Sequence, residues 1–177
     1  MKATKVQGRI WVLTDPQGQL YDDIDTDQIF HNRYLHITDV AEMGQYALDN
    51  LEGWEDFSEK AQPGDIVVAG GNFGAGSSRQ QAVDCFRALG ISAIIAESFG
   101  AIYKRNAINS GLPIVALPRL TGMAEAFQTG DTLKVDFTSG EIVLDGQVYQ
   151  AQPFSQVQMD IYQAGDIFAY GKALEEK

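Results

Sequence analysis

The sequence predicts an α/β fold: a mixed sheet with a parallel β-α-β-α-β centre and C-terminal hairpins. Three short, continuous apolar runs alternate with two segments of helical periodicity, a rhythm typical of parallel strands joined by crossover helices. Beyond residue 131 the pattern changes to polar–apolar alternation with glycine-containing turns, which indicates antiparallel hairpins. A chain of 177 residues is long enough to bury a substantial core, and we expect one domain over residues 1–177.

The N-terminal part of the chain predicts one strand and one helix. Residues 8–14 carry the apolar content of a strand, and an acidic segment, residues 22–27, follows a polar stretch. Asp39 and Glu42 have the spacing of a capping box, which predicts a helix that begins there. Residues 53–63 are predicted to form a polar loop. The apolar face of the helix would consist of Val40, Met43, Ala47 and Leu51.

The centre of the chain supplies the parallel part of the sheet. Residues 65–69, 91–96 and 113–117 are short apolar runs, as expected for strands that are buried on both faces. Between them, residues 77–89 and 98–110 have apolar stripes at helical spacing, and a glycine follows each stripe and ends the helix. These elements together form the predicted β-α-β-α-β unit.

The C-terminal part predicts two hairpins and a final helix. Residues 132–137 and 141–144 alternate around a Ser-Gly turn, and an Asp-Gly turn leads into residues 147–149. Residues 166–175 are predicted to end the chain as a helix.

The charge of the chain argues against polyanionic partners. There are 24 acidic and 13 basic residues, and the net charge of −11 disfavours binding to nucleic acid or to an anionic membrane surface. No apolar stretch approaches the ~20 residues that a bilayer span requires. Residues 1–5 lead into the first strand without an apolar signal region, so we expect a cytoplasmic protein.

The chain contains one cysteine, Cys85. A single thiol excludes an intrachain disulfide and any zinc or iron–sulfur site built from the cysteines of this chain alone. Because Cys85 falls on the apolar stripe of its predicted helix, we expect it to be packed in the core.

The segment from Gly70 to Arg79 is the strongest candidate for a functional site. Four glycines at 70, 71, 74 and 76 lie between a predicted buried strand and a helix, where the backbone can come close to a ligand. A helix N-terminus offers free N–H groups to an anion, and Ser77, Ser78 and Arg79 add hydroxyls and a forked cation. The alternative is a tight strand-to-helix turn with a serine cap, which does not need so many glycines.

Known loop motifs fit this segment incompletely. A phosphate-binding Walker loop is excluded because no lysine follows Gly76, and a lipase-type nucleophile elbow is excluded because Arg79 stands where a glycine is needed. A dinucleotide-binding domain stays open as an alternative. Gly74 and Gly76 would begin its fingerprint and Glu97 would bind a ribose, although Arg79 occupies the position of the third glycine.

Two other groups of residues are weaker candidates for a site. The aspartates of residues 22–27 have the initial spacing of a calcium loop, but Gln28 and Tyr34 stand where the glycine and the final glutamate belong. His31 and His36 flank an irregular aromatic segment, and lone histidines of this kind more often have structural roles.

An ordered set of motifs resembles one family, the small subunits of 3-isopropylmalate dehydratase in the aconitase superfamily. The resemblance is strongest over residues 7–118. The motifs that carry it are Asp25-Thr26-Asp27, Arg33-Tyr34-Leu35, residues 64–70 and 72–79, Ser98-Phe99 and residues 105–113.

The resemblance implies a swivelling β/β/α domain that closes over a large catalytic subunit, as a heterodimer or heterotetramer. In this family the large subunit holds a [4Fe–4S] cluster on three cysteines, and the iron acts as a Lewis acid on the substrate hydroxyl. The implied reaction is the isomerisation of 2-isopropylmalate and 3-isopropylmalate in leucine biosynthesis, by dehydration and rehydration. The substrate class is a small 2-hydroxy di- or tricarboxylic acid, with homoaconitate or a methyl-substituted malate as alternatives.

The resemblance also assigns roles to residues. Ser77 matches the catalytic base, which takes a proton next to a carboxylate, and Asp27 helps to complete the catalytic site. Ser78 and Arg79 match residues that hold a substrate carboxylate. The segment that selects the variable group of the substrate matches Arg33, Tyr34, Leu35 and His36. The family usually continues Ser-Ser-Arg with Glu-His, where this chain has Gln80-Gln81.

Overall fold

The computed structural model describes residues Met1–Lys177 and contains a seven-stranded mixed sheet. The strands are β1 (Lys5–Val12), β2 (Ile66–Ala69), β3 (Ala93–Ala96), β4 (Ile114–Ala116), β5 (Thr132–Asp136), β6 (Glu141–Leu144) and β7 (Gln147–Gln150). Their order across the sheet is β4-β3-β2-β1-β5-β6-β7. The first four strands are parallel and the last three are antiparallel, which confirms the predicted mixed sheet with C-terminal hairpins.

The parallel centre forms because its strands are apolar on both faces. All residues of β2 and β3 are buried, and Val67 pairs with Ile94 while Val68 pairs with Ile95. Successive side chains of a strand point to opposite faces, so two cores result. Val67 and Ile94 belong to one core, and Val68 and Ile95 belong to the other.

The sheet curls so that its antiparallel half covers one face of the parallel half. The core that contains Val68 also contains Leu133 and Ile142 from the antiparallel strands. Beyond β7, the N–H of Gln152 donates to the carbonyl of Ala116 in β4 at 2.9 Å. The chain therefore returns to the far edge of the sheet.

Seven helices accompany the sheet. They are α1 (Thr26–Ile29), α2 (Val40–Met43), α3 (Phe57–Lys60), α4 (Gln81–Leu89), α5 (Ala101–Asn109), α6 (Gln156–Ala164) and α7 (Ile167–Glu175). Residues of α4 and α5 share the core of Val67 and Ile94, so these crossover helices pack on the face opposite the antiparallel strands. None of the helices is both long enough and apolar enough to cross a membrane.

Three sequence predictions about helices were wrong or incomplete. The helix predicted to continue from Asp39 to Leu51 is one α-helical turn and a short 3₁₀ turn, because the N–H of Leu48 turns away to donate to Ile29 (2.9 Å). The predicted loop 53–63 contains α3, where Phe57 is buried, and α6 was not predicted.

The helix predicted at 77–89 begins at Gln81, four residues later. A start at 77 would need the Ser77 carbonyl to accept the N–H of Gln81. That carbonyl instead accepts the Thr26 hydroxyl at 3.0 Å, so residues 77–80 stay outside the helix.

Asp65, just before β2, has a buried carboxylate that accepts three hydrogen bonds. Its Oδ2 accepts from Arg9 Nη2 (2.9 Å), Trp11 Nε1 (2.7 Å) and the N–H of Gln62 (2.8 Å), and the residue is 5% exposed. Burial opposes the ionised form, but the hydrogen bonds from Arg9, Gln62 and Trp11 outweigh it and lower the pKa of Asp65 below 3.8.

We expect Asp65→Asn to lower the free energy of unfolding by about 1–2 kcal/mol at neutral pH, because the buried acceptor of three hydrogen bonds loses its charge while the half-exposed Arg9 stays hydrated. A lowered carboxyl pKa stabilises the fold above the unfolded value of 3.8, and this contribution disappears as the pH falls through the folded value. In urea denaturation, the difference in the free energy of unfolding between the wild type and the variant should therefore shrink below pH 4.

The control is Asp56→Asn, which breaks the exposed Asp56–Lys60 pair (2.8 Å) and should hardly change the urea concentration at the unfolding midpoint. Equal effects of the two substitutions would contradict the prediction.

Candidate active site

The candidate site lies where the parallel strands β2 and β3 end. This edge carries the ligand sites of open α/β sheets. Two isolated β-bridges bring three segments together there, Asp25 with Ala75 and Phe73 with Phe99. The glycine-rich segment after β2 therefore lies between the acidic segment 22–27 and the segment that follows β3.

Gly74 in the glycine-rich segment and Gly100 just before α5 allow the two backbones to pack closely together. Gly74 has a φ of +81°, and a Cβ there would overlap the ring of Tyr103. A Cβ on Gly100 would come within 2.8 Å of the Gly74 carbonyl oxygen. These glycines thus serve the packing of the loop against its own chain. The sequence prediction was that the glycines of residues 70–76 let the backbone approach a ligand, whereas the close neighbour of Gly74 is the ring of Tyr103.

The acidic segment is attached to the glycine-rich loop by a series of hydrogen bonds. The N–H of Gly74 donates to Ile24 (2.8 Å), and the N–H of Thr26 donates to Ala75 (2.9 Å). The Thr26 hydroxyl donates to the carbonyl of Ser77 at 3.0 Å. These bonds join residues about fifty positions apart, so they fix the conformation of the loop that presents the two serines.

Ser77 and Ser78 are both exposed at the end of this loop. The Ser78 hydroxyl oxygen accepts a hydrogen bond from Asn106 Nδ2 on α5 (3.0 Å), whereas the Ser77 hydroxyl has no partner within the chain. The backbone N–H groups of residues 76–80 also have no partner within the chain. A row of unpaired amides beside a free hydroxyl suits an anion or a developing negative oxygen.

Arg79 is held in place by the acidic segment. Its Nη1 donates to Asp27 Oδ1 (3.0 Å) and to the carbonyl of Phe30 (2.7 Å), and its side chain is 13% exposed. Nε and Nη2 of Arg79 have no partner within the chain, so the guanidinium keeps donors for a ligand.

Asp27 is ionised in this arrangement. Burial opposes the charge, but the Arg79 hydrogen bond, the Asn32 N–H (2.9 Å to Oδ1) and the nearby His31 together lower the pKa of Asp27 below its ordinary value. Asp27 therefore orients Arg79 and carries a negative charge at neutral pH.

The segment predicted to select the substrate divides into a packed residue and exposed ones. Tyr34 stacks on Tyr46 with ring centroids 4.0 Å apart, and its hydroxyl donates to Asp49 Oδ2 at 2.7 Å. This hydrogen bond is the largest cause of the raised pKa of Tyr34. The structure therefore places the Tyr34 hydroxyl in contact with protein.

Arg33, Leu35 and His36 are exposed. The carbonyl of Leu35 accepts from Gln81 Nε2 (3.4 Å), which places this segment beside the start of α4. Arg33 Nε donates to His31 Nδ1 at 3.3 Å, in line with the structural role expected for that histidine. The structure thus brings the segment next to residues 70–80, which we call the serine loop, and the roles of the segment's residues stay predictions.

Two contacts of the site were missed from the sequence: the Thr26 hydroxyl on Ser77 and the Asn106 amide on Ser78. Thr26 lies in the motif Asp25-Thr26-Asp27, in which only the aspartates were considered as functional residues. Asn106 lay in a polar run on an otherwise apolar helix, which was the available signal. Polar side chains in such a place are commonly hydrogen-bonded to the chain itself.

The dinucleotide alternative finds no support in this geometry. Glu97 Oε1 accepts the N–H of Thr121 (3.1 Å), so one oxygen of the predicted ribose-binding acid is engaged within the chain. Arg79 occupies the third-glycine position and binds Asp27.

The residues of this chain do not fit an iron–sulfur cluster. Cys85 is fully buried, and burial raises the pKa of its thiol strongly, so it offers no thiolate. No group of three or more His, Cys, Asp or Glu side chains is placed to hold a metal ion.

Comparison with known proteins finds a family match and a similar solved structure. The aconitase C-terminal domain family matches residues 21–119, which include the whole serine loop and both segments beside it. A 3-isopropylmalate dehydratase from Methanocaldococcus jannaschii has a similar structure, with a TM-score of 0.85 and 33% identity. The match covers 97% of this chain and 96% of that one.

Two curated relatives have similar sequences and different printed substrates. A 3-isopropylmalate dehydratase small subunit from Metallosphaera sedula is 41% identical over 161 residues, which cover 91% of this chain and 97% of the relative. A 2,3-dimethylmalate dehydratase small subunit from Eubacterium barkeri is 41% identical over 157 residues, which cover 88% and 93%. Overall identity therefore does not distinguish these two substrates.

Proposed function

The chain belongs to the 3-isopropylmalate dehydratase small-subunit family, and from this premise we propose that it is the small subunit of a hydro-lyase. The reaction is the interconversion of 2-isopropylmalate and 3-isopropylmalate in leucine biosynthesis. One observation carries the assignment to this chain's own site: the unpartnered Ser77 hydroxyl lies beside the unpaired amides of residues 76–80 and the Arg79–Asp27 pair. Several relatives that share most of the chain have this activity in their names.

Ser77 acts as the base in the proposed reaction. Its deprotonated oxygen takes a proton from the carbon next to a substrate carboxylate, and the C–H electron pair becomes the new double bond. The hydroxyl group of the neighbouring carbon leaves as hydroxide, so the proton on Ser77 and this hydroxide together make up the water that is lost. Hydroxide then adds to the carbon that had lost the proton, and Ser77 gives its proton to the other carbon. Serine is a weak base, so the unpaired amides and Arg79 are needed to stabilise its anion.

Arg79 binds a substrate carboxylate in this proposal. Asp27 and the Phe30 carbonyl hold one nitrogen, and the remaining donors form the fork that matches a carboxylate. Ser78 adds a hydroxyl held by Asn106. This arrangement requires substrate carboxylates, as malate derivatives provide.

The large subunit completes the enzyme. The chain has no set of ligands for a [4Fe–4S] cluster, so we place the cluster on the large subunit, in a heterodimer or heterotetramer. Residues 1–177 form one swivelling domain that closes over that subunit in the cytoplasm.

A methyl-substituted malate is the second candidate substrate, favoured by the Eubacterium barkeri relative. The exposed Leu35 and His36 would contact the variable alkyl group in either case. Comparing kcat/KM for 2-isopropylmalate and 2,3-dimethylmalate on the assembled enzyme decides between them, and the higher value identifies the substrate.

The proposed function is tested by affinity purification of the tagged chain from native lysate without oxygen. We expect a co-purifying protein with cysteines and iron, and an eluate that hydrates the alkene intermediate. A partner without iron, or an iron-containing complex without turnover on any malate derivative, would contradict the proposal. Calorimetry with NAD on the full chain tests the dinucleotide alternative, and we expect no binding.

A further inference from the structure

Thr26 is buried beneath the serine loop and holds two of its carbonyl groups. The residue is 4% exposed, although it is polar. Its N–H donates to the carbonyl of Ala75 (2.9 Å), and its hydroxyl donates to the carbonyl of Ser77 (3.0 Å). One side chain and its own backbone therefore fix two peptide units of the loop, 75–76 and 77–78.

The direction of these carbonyls determines the direction of the next N–H groups. In a trans peptide the C=O of one residue and the N–H of the next point in opposite directions, and the chain has no cis peptide bonds. The N–H groups of Gly76 and Ser78 must therefore point away from Thr26. Both are among the amides that have no partner within the chain.

The loop has few other means of holding this orientation. Gly76 has a φ of +95°, a conformation that glycine adopts easily and can also leave easily. Ser77 and Ser78 lie outside α4 and their carbonyls accept no backbone N–H, whereas the carbonyls of Arg79 and Gln80 already accept N–H groups from the first turn of α4. The hydroxyl of Thr26 is the hydrogen-bond donor that holds the Ser77 carbonyl.

We propose that Thr26 is a positioning residue, whose hydroxyl turns the 77–78 peptide so that the Ser78 N–H faces the negative charge that develops at Ser77. Thr26 does not touch the substrate and acts through the loop. Amides that are already oriented need no rearrangement during the reaction, which is what makes such donors effective. This inference rests on the proposed function, since it assigns Ser77 as the reacting group.

The test replaces the hydroxyl and keeps the shape. In the assembled enzyme we expect Thr26→Val to lower kcat about tenfold, less than the ~100-fold or more that follows loss of a direct donor, with KM nearly unchanged. Thr26→Ser keeps the hydroxyl and should restore kcat to near the wild-type value. An unchanged kcat in the valine variant, a change in KM alone, or a serine variant as slow as the valine variant would overturn the proposal.

Ser92→Ala is the matched control. The Ser92 hydroxyl donates to the carbonyl of Gly64 at 3.0 Å, so it makes the same kind of hydrogen bond as Thr26. Gly64 and Ser92 lie just before β2 and β3, at the end of the strands that is opposite to the candidate site. We expect it to lower the melting temperature about as much as Thr26→Val and to leave kcat unchanged. Equal losses of kcat in both variants would mean that Thr26 acts only on stability.

A second measurement separates this inference from the proposed function. An inactive wild-type enzyme would contradict the function, and the amide NMR resonances of the full chain would still test Thr26. We expect Thr26→Val to shift the ¹H and ¹⁵N amide resonances of Ser78 and Thr26→Ser to retain them, because the hydroxyl holds the 77–78 peptide and the N–H that holds the 75–76 peptide is unchanged. Unshifted resonances in the valine variant would overturn the orienting role.

Discussion

Ser77→Ala should reduce turnover of the assembled enzyme by about 10³-fold or more, because no other group in the serine loop is placed to take the substrate proton. The Ser77 hydroxyl has no partner within the chain and is exposed, so its loss should not disturb folding or assembly. Steady-state kinetics with 3-isopropylmalate measure the first effect, and size-exclusion chromatography with the large subunit measures the second.

The control for this prediction is Ser139→Ala. Ser139 is also exposed, but it lies in the turn between β5 and β6, and its hydroxyl oxygen accepts the N–H of Glu141 (3.2 Å). Its turnover should equal that of the wild type. Wild-type turnover in the Ser77 variant would remove the assignment of Ser77 as base, and failed assembly would show that Ser77 belongs to an interface.

Arg79→Lys should lower kcat/KM by about 100-fold, mainly through a higher KM. A lysine ammonium is a compact point charge and cannot bind Asp27 and the Phe30 carbonyl while presenting a planar fork to a carboxylate. The substitution also removes the hydrogen bond that lowers the pKa of Asp27. We therefore expect that pKa to rise, which an NMR titration of the Asp27 carboxyl group measures.

Arg87→Lys, on α4, is the matched control. Arg87 Nη1 binds Asp84 Oδ1 at 2.9 Å, three residues away on α4, and Arg87 makes no hydrogen bond to residues 70–80. We expect unchanged kinetics for this variant. A kcat/KM of Arg79→Lys within about twofold of the wild type would show that the guanidinium does not hold substrate carboxylate.

Sequence patterns were most informative where the structure depends on neighbouring residues. The buried strands β2 and β3 were predicted to within two residues at each end, because every position in them is apolar. The loop that carries Ser77, Ser78 and Arg79 was found from its glycines and polar residues. The hairpins were found from their turns, since β5–β7 alternate around Gly140 and Gly146, both of which have positive φ.

Patterns failed where distant residues decide the structure. The apolar residues Ala47 and Leu51 suggested a continuing helix, and both are indeed buried, but the bond from Leu48 to Ile29 ends the helix before them. Helix α6 has three glutamines in its nine residues, which gave it a weak apolar pattern. It packs through Ile161 and Tyr162.

The sequence alone determined the fold class, the family and the residues that could carry chemistry. Those properties depend on local composition and on the order of motifs along the chain. Only the tertiary structure decided how the site is assembled: Thr26 bonds to Ser77 across 51 positions, and Asp27 bonds to Arg79 across 52. These bonds make α4 begin at Gln81 and orient the amides of the loop. Their geometry depends on how the two segments pack, which no local pattern specifies.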